Sequence, residues 1–175
     1  MIFVYNLNKN IYLHNQMNVC VNVNDINTRN IYLYEHTKNK VLDNSIFIRT
    51  GYSNVLFTLN GIYLYTTFKI IGVNKYFRKH KYILDYCCNI ELINKLTDIE
   101  IMILNTINRP ELNKILNLKE QLVNSNIIVF DDSLEDNDDS QFKNKELILK
   151  ISGIWITNNN CGITFKFFPI LSSIC

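Results

Sequence analysis

Hydrophobic and polar residues alternate with a period of two through the first third of the chain. NIYLHNQMNVCVNVN (10–24) and RNIYLYEH (29–36) set β-branched or aromatic residues at alternate positions. SIFIRTG (45–51), SNVLFTLNG (53–61) and GIYLYTTFKIIGV (61–73) continue the alternation, punctuated by Gly51, Gly61 and Gly72. This pattern predicts half-buried strands. KHKYILDYCC (79–88) predicts another. Strands so spaced suit a small sandwich or barrel.

The period then changes. In NIELINKLTDIEIMILNTIN (89–108), Leu92, Leu96, Ile99, Ile103 and Ile107 recur at steps of three and four, one face of an amphipathic helix. A second helix is expected from Pro110, a residue suited to a first turn, with Leu112, Ile115, Leu116, Lys119 and Leu122 as its stripe. NIIVF (126–130) reads as a short strand. LILKISGIWITNNNCGITFKFF (147–168) reads as two strands joined by a turn whose Asn and Gly residues accept positive φ. The expectation is one domain over 1–175, mainly β with inserted helices and a closing C-terminal hairpin.

Composition changes this picture little. Alanine is absent, and Asn, Ile, Lys, Tyr and Phe abound. These residues share AT-rich codons, so the bias reports the genome of an AT-rich virus or cell before it reports physics. Cys20, Cys87, Cys88, Cys161 and Cys175 are odd in number and irregular in spacing, which predicts reduced thiols in an intracellular protein. His14, His36 and His80 lack metal-ligand spacing. No run is long and apolar enough to span a bilayer, and the N-terminal residues lack a signal-peptide pattern.

Charge is more informative. The net charge is +2, but its distribution is uneven. Between 44 and 84 stand six cations, Arg49, Lys69, Lys75, Arg78, Lys79 and Lys81, and no acid. DDSLEDNDD (131–139) holds six acids and no cation; without it, the remaining 18 basic and 10 acidic residues leave +8. The acid run is too dense in like charge to pack and is expected to be a mobile loop, either a solvated linker, a partner site, or an internal competitor for an anionic ligand.

Catalytic constellations are missing. There is no nucleophile elbow, Walker loop or H-E-x-x-H motif. Asp98 and Glu100 diverge on a helix and read as a solvated face. Cys87 and His80 lack an orienting third group. The expectation is a non-enzyme without metal or cofactor. KYFRKHKY (75–82) interleaves cations with Tyr76, Phe77 and Tyr82, a composition that can track phosphates and stack on unpaired bases, or simply form a solvated turn. Trp155, the single tryptophan, is open to the same choice between core and platform. Strand parity, if no bulge intervenes, turns Ile154, Ile156, Ile163, Phe165 and Phe167 inward and Trp155 and Lys166 outward.

Three segments resemble viral single-stranded DNA-binding proteins, replication accessory proteins of tailed phages and large DNA viruses. They are SIFIRTGYSNVLF (45–57), KYILDYCCNIELINKLTDIEIMIL (81–104), and LKISGIWITNNNCGITFKFF within 147–168, together about a third of the chain. The resemblance implies an OB-fold-like barrel, with one or two helices between strands, that coats single-stranded DNA without catalysis. Candidate contacts are then Arg49, Tyr52, Lys69, Lys75, Tyr76, Arg78, Lys79, Lys81, Lys150, Trp155 and Lys166. Implied partners are single-stranded DNA, a viral polymerase or helicase, and a second copy of the chain, at a nuclear or cytoplasmic replication site. Relatives often end in an acidic tail that recruits such enzymes; here the acids are internal and the chain closes on FFPILSSIC. The alternative is a non-enzymatic viral structural or interaction module that binds no nucleic acid.

Overall fold

In the computed structural model, residues 2–5, 18–76, 79–130 and 144–170 are described. The strands are β1 (Ile2–Tyr5), β2 (Asn18–Asn22), β3 (Ile31–Lys38), β4 (Ile46–Ser53), β5 (Thr58–Leu59), β6 (Ile62–Tyr76), β7 (Lys79–Leu84), β8 (Asn113–Ile115), β9 (Asn126–Phe130), β10 (Asn144–Ile156) and β11 (Asn160–Pro169). The helices are α1 (Tyr86–Asn105) and α2 (Asn117–Val123), both between β7 and β9. The acid run 131–139, Phe77, Arg78, His14 and Cys175 lie outside the described residues.

Five strands close on themselves in the order β6-β7-β9-β11-β10 and back to β6. All neighbours are antiparallel except β9 and β11, which meet in parallel at Val129 and Phe167. This is an OB-fold-like barrel with inserted helices and a closing hairpin, β10–β11. Closure depends on two bulges. At Ile70/Gly72, β6 hands over from β10 to β7; at Ile151/Gly153, β10 hands over from β6 to β4. Bulges sharpen the bend and twist that a small barrel needs. Each handover frees backbone groups that side chains then satisfy. The buried Thr50 hydroxyl donates to the Ile151 carbonyl at 3.0 Å. Asn89 of α1 donates to the Lys69 carbonyl at 2.8 Å and accepts its N–H at 2.9 Å, fastening the helix to β6. The Thr50 bond meets a buried backbone need, while the Asn89 bonds are part-buried and the Lys69 carbonyl also accepts the Asp85 N–H at 3.0 Å.

One core joins barrel and helices. Ile62, Leu64, Phe68, Leu149, Ile154 and Phe167 pack with Ile93, Leu96, Ile103 and Leu104 of α1 and Leu118 and Leu122 of α2. The buried helix face is broader than the expected Leu92, Leu96, Ile99, Ile103 and Ile107, because the helix is covered on two sides.

Several expectations are corrected. The strand expected over 79–88 stops at Leu84: the Asp85 carboxylate accepts the Cys88 N–H at 3.1 Å and starts α1, so Cys87 and Cys88 lie in its first turn. The Cys88 thiol and N–H, with Lys69 nearby, hold the Asp85 carboxyl below its ordinary range. The helix expected from Pro110 is shorter: 113–115 form β8, parallel to β11. Most of 54–61 is a turn held by Asn54, with only β5 extended. Glu100 is not on a solvated face. It is fully buried, and its two carboxylate oxygens accept the N–H groups of Leu118 (3.0 Å) and Lys119 (2.9 Å). The residue before α2, Leu116, offers no side-chain cap, so Glu100 of α1 supplies it from across the fold.

Candidate nucleic-acid interface

The outward face of β4, β10 and β11 is built in cross-strand rows. Residues directly opposite in a sheet share a face and lie about 4.5–5.5 Å apart. Trp155 stands opposite Phe47 on one side and Gly162 on the other. Two residues along, Gly153 stands between Arg49 and Thr164. The bulge precedes Gly153, so the parity expected for the hairpin holds: Ile154, Ile156, Ile163 and Phe167 are buried, Phe165 packs half-buried on the core, and Trp155 and Lys166 face outward.

The glycines shape this face. A Cβ at 162 would stand 2.6 Å from the indole of Trp155, and one at 153 would stand 2.5 Å from the Phe47 ring. Both rings therefore lie across glycine backbone. Gly153 also leaves room for the Ile48 carbonyl, which a Cβ would meet at 2.4 Å. Replacing Gly162 by Ala is expected to tilt the indole off the sheet and shift the emission of Trp155, with β11 retained; an unchanged spectrum would deny the close approach.

Trp155, Phe47 and Arg49 line a groove of about 450 Å³, with Lys38, Lys40 and the loop between β3 and β4 along its other wall. The volume is within the range of small-ligand clefts, about 300–1,000 Å³. Two aromatic residues, Phe47 and Trp155, and three cations, Lys38, Lys40 and Arg49, are among the residues that line the groove. Beyond the bulge the same face continues. Lys150 stands between Tyr63 and Lys166, and the next row is Tyr65, Ile148 and Phe168. The Lys150 ammonium lies 5.0 Å from the Tyr63 ring centre and that of Lys166 lies 5.0 Å from Phe168, both within cation–π range. The Tyr65 hydroxyl donates to Glu146 at 2.5 Å, and burial, then this carboxylate, push its pKa to about 12.

The structure thus brings together Arg49, Lys150, Trp155 and Lys166. Lys79 and Lys81 lie on another side of the barrel, where Lys81 stands between Asn74 and Ile128. Lys75 pairs with His80 on the reverse of that hairpin. Lys69 sits at the start of α1, its ammonium 3.5 Å from the Cys88 sulfur. Tyr52 is corrected: it is 2% exposed, its ring lies tilted beside Phe57 and its hydroxyl accepts from the Asn30 side chain, so the ring packs in the core. The Tyr76 side chain and Arg78 are outside the described residues.

Sequence reasoning missed Phe47, Lys38, Lys40, Tyr63 and Phe168. Phe47 was accessible, since it alternates with Ile46 and Ile48 exactly as Arg49 does. Lys38 and Lys40 lie just before the acid-free window that drew attention to the other cations.

Among the described residues, no group of three or more His, Cys, Asp or Glu is placed to hold a metal ion, and no helix is long and apolar enough to cross a membrane. Burial raises the Cys20 thiol to about 12, and raises that of Cys161 as well. No protein-family model, curated protein or solved structure matches this chain.

Proposed function

We propose that the chain binds single-stranded DNA without reading its sequence and coats it during viral DNA replication. The observation that carries this reading is the Trp155 groove, lined by Phe47 and Trp155 and by Lys38, Lys40 and Arg49, on an OB-fold-like barrel. Unpaired bases offer π-faces to Trp155 and Phe47 whatever their identity, while the cations neutralise phosphates. Lys150 and Lys166 extend the cationic path along the same face. A viral polymerase or helicase and a second copy of the chain remain the partners this role would call for.

Salt dependence tests the reading. On a single strand each neutralised phosphate contributes a slope of about 0.7 in log affinity against log salt. Changing Lys38, Lys40 and Arg49 together to Ala should weaken oligo-dT binding and reduce the slope by about 2, three such contacts. Changing Lys79 and Lys81 should leave both nearly unaltered. A folded triple variant with parental affinity and slope would remove the groove from the site.

One feature favours the competing reading of an interaction module. Val55, 99% exposed, and Leu56 are held out to solvent by a turn in which Asn54 accepts the N–H groups of Leu56 and Phe57. That reading expects no salt-dependent oligonucleotide binding at all.

A further inference from the structure

Val41 is 96% exposed and Leu42 43% exposed, yet both border the Trp155 groove. They are not displayed by a slack loop. The Asn39 side-chain oxygen accepts the N–H groups of Val41 (3.0 Å) and Leu42 (3.3 Å). The Asn39 N–H donates to the Ser45 carbonyl at 3.0 Å, and the Ser45 hydroxyl donates to the Leu42 carbonyl at 2.6 Å. Asn44 takes a φ of 54°, a conformation Asn tolerates better than most residues. The loop is built, and what it builds is an apolar point in the groove that Phe47 and Trp155 line. A connection alone would be served as well by polar residues, which water solvates better than large apolar side chains.

The flanking charges say what this point meets. Lys38 and Lys40 precede it, and Arg49 lines the same groove. A chain of negative charge drawn to those cations brings whatever it carries between the phosphates against Val41 and Leu42. In a single-stranded nucleic acid those groups are stacked bases.

We infer that Val41 and Leu42 form a wedge that enters between two neighbouring bases, so that one base lies on Trp155 and its neighbour is turned away. This rests on the reading of the groove as a single-strand site. The wedge replaces base–base stacking by base–aliphatic contact, as apolar side chains do when they open a base step. The free energy of binding then depends on how strongly the free strand stacks on itself. Adenine runs, which stack well, bind more weakly than thymine runs, although no donor or acceptor on a base edge is read.

The test uses the full chain and the double variant Val41→Ser, Leu42→Ser, titrated at low salt with poly-dA and poly-dT. Both positions are exposed, so the variant keeps its fold, which its melting curve checks. Circular dichroism of poly-dA reports base stacking, and Trp155 fluorescence reports occupancy of the groove. The parent should flatten the stacked-adenine signal and bind poly-dT about tenfold more tightly than poly-dA, a difference of ~1.4 kcal/mol. The variant should still quench Trp155 but leave the poly-dA signal standing and bind the two polymers alike. If the variant flattens the signal as fully as the parent, the wedge is wrong while the groove remains a single-strand site. If the parent neither binds nor changes its fluorescence, the groove reading falls and the wedge with it.

Discussion

Trp155→Ala is expected to lower affinity for oligo-dT by about 5- to 150-fold, the equivalent of ~1–3 kcal/mol for one lost stacking platform. The ring is half-buried on the outer face, lying across Gly162 and beside Phe47, and it is not a member of the core around Phe68 and Phe167. Its removal uncovers glycine backbone and part of Phe47, so some stability is lost too. That loss should be about 1–2 kcal/mol, below the ~3–5 kcal/mol of a fully buried aromatic. In a chain of this size it lowers the melting temperature by about 2–4 °C per kcal/mol. Trp155→Phe should restore most of both properties. Parental affinity in folded Trp155→Ala would show that the ring contributes shape and not binding.

Glu100→Ala is expected to destabilise the fold by about 2–4 kcal/mol, because it strips the acceptor from the N–H groups that open α2 and leaves them without water. The loss should appear in thermal melts, and α2 should lose hydrogen-exchange protection before the barrel does. Glu100→Gln keeps the volume and one good acceptor and should lie between. The pair also separates by pH. Burial raises the Glu100 carboxyl above its ordinary range, and the Lys119 and Leu118 N–H groups only partly offset this. The folded chain therefore holds the proton more tightly than the unfolded chain. The resulting stability is complete below the unfolded carboxyl pKa and is lost as pH rises through the folded value. The stability of the parent relative to Glu100→Gln should accordingly increase as pH falls through the acid range. A difference that stays flat with pH would mean that Glu100 is not desolvated.

These residues also mark how far the sequence could be read. Period-two alternation located β4 and β6, short apolar runs and turn residues located β9 and the final hairpin, and parity placed Trp155 and Lys166 outward, because a strand with one face in the core has only two choices. Tyr52, a contact only by the implied resemblance, is buried instead. Thr50, Gly51 and Tyr52 are consecutive and all buried, since this end of β4 is covered on both faces. Glu100 was illegible for a different reason: its spacing from Leu96 and Ile103 sets it beside the apolar stripe, but the open N-terminus that explains a carboxylate there belongs to another helix, reached through a strand, β8. That strand formed where a helix was expected, because Asn160–Gly162 of β11 offers a pairing edge that local propensity at 113–115 does not record. The candidate site divided likewise. The described cations counted along the chain were scattered by the barrel to four places, and the Phe47–Trp155 row came together only through the register of β4 on β10.

The single tryptophan makes the central claim directly measurable, since all indole emission comes from Trp155. Adding oligo-dT to the unmodified chain at low salt should quench that emission saturably, and raising the salt should restore it along a log–log slope of several phosphate contacts, about 0.7 each. Emission that ignores oligo-dT at low salt, from a chain whose melting curve shows it folded, would contradict a single-strand site in this groove.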